Sequence, residues 1–260
     1  NLLGYNNKNI DKKINSVVKK GNMSSLNCVE EVHLAEKLID MHKWSDMAKF
    51  ARTGAEANCI GLRAARLATG KEKIVICGYH GWHDWYLAAN INNKKNLNNH
   101  LFKNLQIEGV PKNFKNFIYS FEYNNFKKLE NIVKLDNNIA AIIMEVKRDF
   151  NPKNDFLKKI RHLCDRKNIV LIFDECTSAF RENFGGLHLK YKIQPDLAMF
   201  GKALGNGYPI TSIIGKKSIM ETLSNSFVSS TFWSDRIGPT AGLASLKEME
   251  NQKSSEILLN

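Results

Sequence analysis

Phe-Leu-Lys-Lys-Ile-Arg-His-Leu-Cys-Asp-Arg-Lys-Asn-Ile-Val-Leu-Ile-Phe-Asp-Glu, residues 156–175, changes its periodicity halfway along. From Phe156 to Lys167 the apolar side chains recur at the spacing of an amphipathic helix. From Ile169 to Phe173 they run without a break, the pattern of a strand buried on both faces. Working outward, Ile74–Cys77, Ile139–Met144, Leu197–Phe200 and Ile210–Ile214 are further apolar runs of strand length. Residues 8–20, 29–42 and Gly54–Thr69 read as helices, the last stopped by Gly70. Apolar strands alternating with helices predict an α/β fold, a three-layer α/β/α domain around a mainly parallel mixed sheet. In such sheets ligands sit beyond the carboxyl ends of the strands, so the polar residues there are the candidates for chemistry.

The chain has 260 residues, which suits one large domain or one domain with pieces of a second. Hydrophobic residues make up 43% and charged residues 25%, a balance that builds a core and excludes disorder as the main state. The net charge of +12 comes from lysines scattered among asparagines, as in Asn92-Asn93-Lys94-Lys95-Asn96. With no basic patch interleaved with aromatics, this reads as solvated surface, and no nucleic-acid partner is expected. The five cysteines include no CxxC pair, which fits reduced thiols in a cytoplasmic protein. No apolar stretch approaches the ~20 residues of a membrane span, so no membrane association is expected.

Three strand ends stand out. Glu145 follows Met144, Asp174 and Glu175 follow Phe173, and Gly201-Lys202 follows Phe200. A buried ion pair is the plain alternative for any acid and lysine so placed. The surroundings of Lys202 favour a site instead, because Gly201, Gly205 and Gly207 clear space beside it. The segment is no P-loop: Asp196 stands where that pattern needs its first glycine, and Ala203 where it needs Ser or Thr.

Leu171 to Glu175, Phe180-Arg181, Gly185-Gly186, Pro195-Asp196 and Gly201-Lys202 together resemble the signature of the class III aminotransferases, near the glutamate-1-semialdehyde aminomutase branch. Thr53 to Ala57, Gly78 to Gly81, Met144-Glu145 and Ser229 to Thr231 extend the resemblance over roughly residues 1 to 250. It implies a pyridoxal 5'-phosphate (PLP) enzyme of fold type I. Lys202 would hold the cofactor as a Schiff base and shuttle the substrate's α-proton. Asp174 would pair with the pyridine nitrogen. Gly54 and Ala55 would bind the phosphate through backbone N–H groups at a helix start. Taken alone, Gly54 reads as a tight turn.

The resemblance also implies that Tyr79 stacks on one ring face and Cys176 packs on the other, with His80 and Glu145 beside the cofactor. Thr231 would reach the phosphate of a neighbouring subunit, giving a homodimer with its site at the interface; otherwise Ser229–Thr231 are loop residues. Departures from the family are Ala55 for Thr, Cys176 for Val and Val146 for Pro. His80, His83 and Asp84 make a weak metal pattern, and no metal is expected. The implied division is a small-domain or linking segment at 1–30, a PLP-binding domain at 31–250, and at 251–260 the start of a connection to a C-terminal domain that is mostly absent. The chain is thus expected to be truncated at both ends. Residues 230–236 differ from the aminomutase pattern, which favours an aminotransferase acting on a small-molecule amino donor and a carbonyl acceptor. An aminomutase and a non-catalytic protein of the same fold are the alternatives.

Overall fold

The structure is a computed structural model and describes residues 1–23 and 25–259. Ser24, inside the expected 1–30 segment, and Asn260, at the end of the expected 251–260 connection, lie outside the described residues. The chain runs through α1 (Lys8–Val18), α2 (Val29–Met41), β1 (Met47–Ala51), α3 (Gly54–Thr69), β2 (Lys73–Cys77) and α4 (Asp84–Leu87). Next come β3 (Ile118–Ser120), α5 (Phe126–Leu135), β4 (Ile139–Met144), α6 (Phe156–Lys167), β5 (Val170–Asp174) and α7 (Leu187–Tyr191). It closes with β6 (Leu197–Phe200), β7 (Thr211–Gly215), α8 (Lys217–Met220), α9 (Ile237–Gln252) and α10 (Ser254–Leu259).

Among the described residues seven strands form one sheet in the order β1-β7-β6-β5-β4-β2-β3. The pairs from β6 through β5, β4 and β2 to β3 are parallel, whereas β7 runs antiparallel to both β6 and β1. Both faces are covered, which is why the strands lack polar alternation. Ile74, Ile76, Ile143 and Ile172 pack with Ala57, Ile60 and Ala64 of α3. Their neighbours Val75, Ile142, Leu171 and Phe173 pack on the other face with Leu129 of α5 and Ile160 and Leu163 of α6. At the β6–β7 end, Ala198, Phe200 and Ile214 meet Leu34 and Leu38 of α2 and Leu246 of α9. The arrangement is the expected three-layer α/β/α.

Two local features shape the working edge. Thr53 caps α3, its hydroxyl accepting from the Glu56 N–H at 3.2 Å while the Glu56 carboxylate accepts from the Thr53 N–H at 2.8 Å. After β6, Lys202 adopts a left-handed backbone, φ 42°, rare for a side chain of this kind and typical of functional turns. The turn behind it needs glycine for space, since a Cβ on Gly205 would stand 2.0 Å from the Tyr208 carbonyl oxygen.

Candidate active site

A cavity of about 260 Å³ opens where β2, β5 and β6 end and α3 begins. β5 delivers Asp174, Cys176 and Thr177, and the turn after β6 delivers Gly201 and Lys202. Gly54 and Ala55 line it from the first turn of α3, Tyr79 and His80 from the loop after β2. Lys202 and Asp174, far apart in sequence, therefore share one cavity. They are not simply each other's counter-ions, because each has other hydrogen-bond partners. The Lys202 ammonium donates to Thr177 Oγ1 at 2.6 Å. Asp174 Oδ2 accepts from Asn58 Nδ2 and lies against His80 Nδ1, both at 2.9 Å, and Oδ1 accepts from the Cys176 N–H at 3.1 Å.

Burial pushes the Asp174 carboxyl up, but the His80 and Asn58 groups more than offset it and hold it below its ordinary value. A buried carboxylate kept ionised in this way can face a cation. His80 Nε2 and Asn58 Oδ1 are buried with no hydrogen-bond partner among the described residues. The Cys176 thiol is pushed well above its ordinary value, first by burial and then by the Asp174 charge, so it stays neutral and offers an apolar surface. It packs close to both glycines: Sγ would be 3.2 Å from a Cβ on Gly54 and 3.3 Å from one on Gly201. At the start of α3 the N–H groups of Gly54 and Ala55 have no acceptor within the helix and carry the positive end of its dipole.

The expected residues are thus partly assembled. Lys202, Asp174, Gly54, Ala55, Tyr79, His80 and Cys176 all line the cavity. Glu145 does not. Its carboxylate is held by the Arg148 guanidinium and accepts the Tyr79 N–H at 3.1 Å, and it lines a neighbouring cavity of about 480 Å³. Thr231 is exposed, at the start of a short 3-10 turn outside the cavity. His83 Nδ1 lies on Cys59 Sγ while His80 turns to Asp174, so the two histidines do not converge. Among the described residues no group of three or more His, Cys, Asp or Glu is placed to hold a metal.

Sequence reading missed Asn58 and Thr177. Asn58 is an amide on the buried face of α3, four residues after Gly54, and that anomaly was its only signal. Thr177, three residues past Asp174, carried none.

The family model described as Aminotransferase class-III matches residues 1–258. The 3-aminobutyryl-CoA aminotransferase of Cloacimonas acidaminovorans is 32% identical, aligned over 99% of this chain and 60% of its own. The glutamate-1-semialdehyde 2,1-aminomutase of Sulfolobus acidocaldarius is 33% identical over 98% of this chain and 62% of its own. Among solved structures, a transaminase with PLP bound superposes with a TM-score of 0.85 at 22% identity, over 96% of this chain and 60% of that one. The chain spans about three fifths of the length of the curated relatives it matches.

Proposed function

Because the chain belongs to the class-III aminotransferase family, we propose that it is the cofactor-holding part of a PLP enzyme that moves an amino group between a small-molecule donor and a carbonyl acceptor. The observation that carries this is the meeting of the Lys202 amine, the Asp174 carboxylate and the opening N–H groups of α3 around one cavity. The donor set fits the cofactor at each point. Gly54 and Ala55 would bind the phosphate through their N–H groups alone, since Ala55 has no hydroxyl. Asp174, ionised and fixed by three donors, would hold a protonated pyridine nitrogen. Cys176 and Tyr79 would cover the ring's two faces.

When bound, the cofactor supplies an electron sink for the charge left on a substrate carbon after it loses a proton. The protein's own part is positional. Lys202 Nζ would hold the cofactor covalently, and its free amine would be the base that removes the proton at the substrate α-carbon and the acid that delivers it to the other end of the reacting system. Thr177 Oγ1 gives the free amine a fixed resting place. Asp174, held ionised by its donors, would keep a ring nitrogen protonated.

An aminomutase is the second reading, favoured by the names of several relatives about a third identical to this chain. Full-length protein given glutamate-1-semialdehyde with no added amino donor separates the two: formation of 5-aminolevulinate replaces the aminotransferase assignment. We read the enzyme as a cytoplasmic homodimer. Support comes from the unpaired state of all five cysteines and from exposed Phe227 and Phe232 flanking the exposed Thr231. Among the described residues no helix is long and apolar enough to cross a membrane.

The direct test is the absorbance of purified full-length protein. A visible band that borohydride abolishes, with the reduced cofactor found on Lys202 by peptide mass spectrometry and absent from Lys202→Ala, is expected. A colourless protein that does not take up added PLP overturns the assignment.

A further inference from the structure

The loop that carries Tyr79 and His80 leaves β2 at Gly78, and the polar groups of this turn are held from three separate places. The Gly78 N–H donates to His100 Nδ1 at 2.7 Å. Its carbonyl accepts from the Tyr86 hydroxyl at 3.0 Å. The next N–H, that of Tyr79, donates to Glu145 Oε2 at 3.1 Å. Gly78 itself has φ +117°, and a Cβ there would fall 2.6 Å from Glu145 Oε2, so the turn leaves no room for a side chain at this position. The segment bearing His100 also touches the ring that matters: Phe102 meets Tyr79 edge-on, with centroids 5.5 Å apart at 89°.

We propose that His100 is a positioning residue of the cofactor site, its unprotonated Nδ1 acting with Tyr86 and Glu145 as a clamp on the Gly78–Tyr79 backbone that aims Tyr79 into the cavity and His80 at Asp174. This rests on the cavity being a PLP site and adds to it a residue 20 or more positions from the loop it controls. His100 lines the neighbouring cavity and not the one shared by Lys202 and Asp174. A backbone N–H pointing at Nδ1 leaves that nitrogen only the acceptor role, so a ring protonated there cannot make the bond. The site keeps it neutral. Burial, then the nearby His80, push His100 down to about 4 from its ordinary 6.5. The charged groups around it are Glu122 and Lys128, which bear on it electrostatically, and Glu145, Arg148 and Asp149, which share its cavity.

The experiment uses full-length holoenzyme and reads the rate of PLP release into an excess of apo-acceptor, by cofactor absorbance. His100→Leu keeps bulk but leaves the Gly78 N–H without an acceptor, and should speed release at neutral pH roughly tenfold, the scale of orphaning one buried donor. His100→Asn places Oδ1 where the ring has Nδ1 and should restore slow release. Release from the wild type should also quicken as pH falls toward 4, while the Asn variant, with nothing to protonate at that position, should lack this component. Should His100→Leu not fold, Tyr86→Phe removes only the hydroxyl on the Gly78 carbonyl and is expected to quicken release in its place. Equal release from the wild type and the Leu variant, or a Leu-like Asn variant, overturns the clamp while leaving the cofactor assignment intact. A full-length protein that never binds PLP overturns both.

Discussion

At the scale of single residues, the ionised state of Asp174 is a collective property. Burial alone pushes the carboxyl up, and His80, Asn58 and the Cys176 N–H together outweigh it. Asp174→Asn should therefore keep the fold and some PLP, since the amide fills the same volume, but lose at least about a hundredfold in kcat, the scale of a charge interaction that matters mainly in the transition state. Near-normal turnover in a steady-state assay would contradict the electron-sink role. Asn58→Ala tests the support rather than the charge. It removes donors from Asp174 and from the His80 carbonyl, both buried, and should destabilise by about 1–3 kcal/mol in a denaturant titration. Lys202 and Asp174 were legible in sequence because each closes an apolar strand, and glycines crowd one of them. Asn58, Thr177 and His100 were not, because their roles come from partners 22 or more positions away that only the folded sheet brings near.

At the scale of elements, α3 has two duties that depend on one cap. Its reciprocal Thr53–Glu56 bonds fix where the helix begins, and so where the Gly54 and Ala55 N–H groups point. Thr53→Ala should cost about 1 kcal/mol of stability and weaken PLP binding more than it lowers the melting temperature would imply, checked by cofactor titration beside thermal denaturation. Equal PLP affinity would detach the cap from the site. The turn after β6 is governed by space. Gly205→Ala puts a methyl into the Tyr208 carbonyl, a backbone atom that cannot swing away, and should destabilise by about 1–3 kcal/mol while displacing Lys202. Loss of borohydride-trapped PLP on Lys202 is the readout. The central strands were readable because burial on both faces gives unbroken apolar runs. β1 escaped, since Met47-Ala48-Lys49 is only half-buried at a sheet edge, and β3 is too short to show a period. α9 was missed for a different reason: it is buried by α1 and α2 on more than one side and its small residues carry no clear stripe.

At the scale of the whole molecule, acid should act on the fold through its buried histidines before it reaches the carboxylates. His100 is lowered to about 4, chiefly by burial, and His42 is lowered too, again by burial first. A histidine whose folded value lies below its unfolded one binds its proton in the unfolded chain first, so stability is greatest above about 6.5 and falls as pH drops from there toward 4. For His100 alone the window spans about 2.5 pH units, which amounts to about 3 kcal/mol at its lower end. The carboxyls of Glu30, Glu122, Asp136 and Glu182 are all held low, and each contributes stability above its ordinary value that is lost as pH falls through its folded one. The two sets thus work in the same direction in successive windows, histidines first. The melting temperature of the full-length protein should drop by on the order of 5 °C between pH 7 and pH 5, where the carboxylates with lowered values are still mostly ionised in both states. His100→Asn should flatten much of that slope, because the group that takes up the proton on unfolding is gone. A wild-type melting temperature unchanged across this interval would contradict the lowered values of His100 and His42.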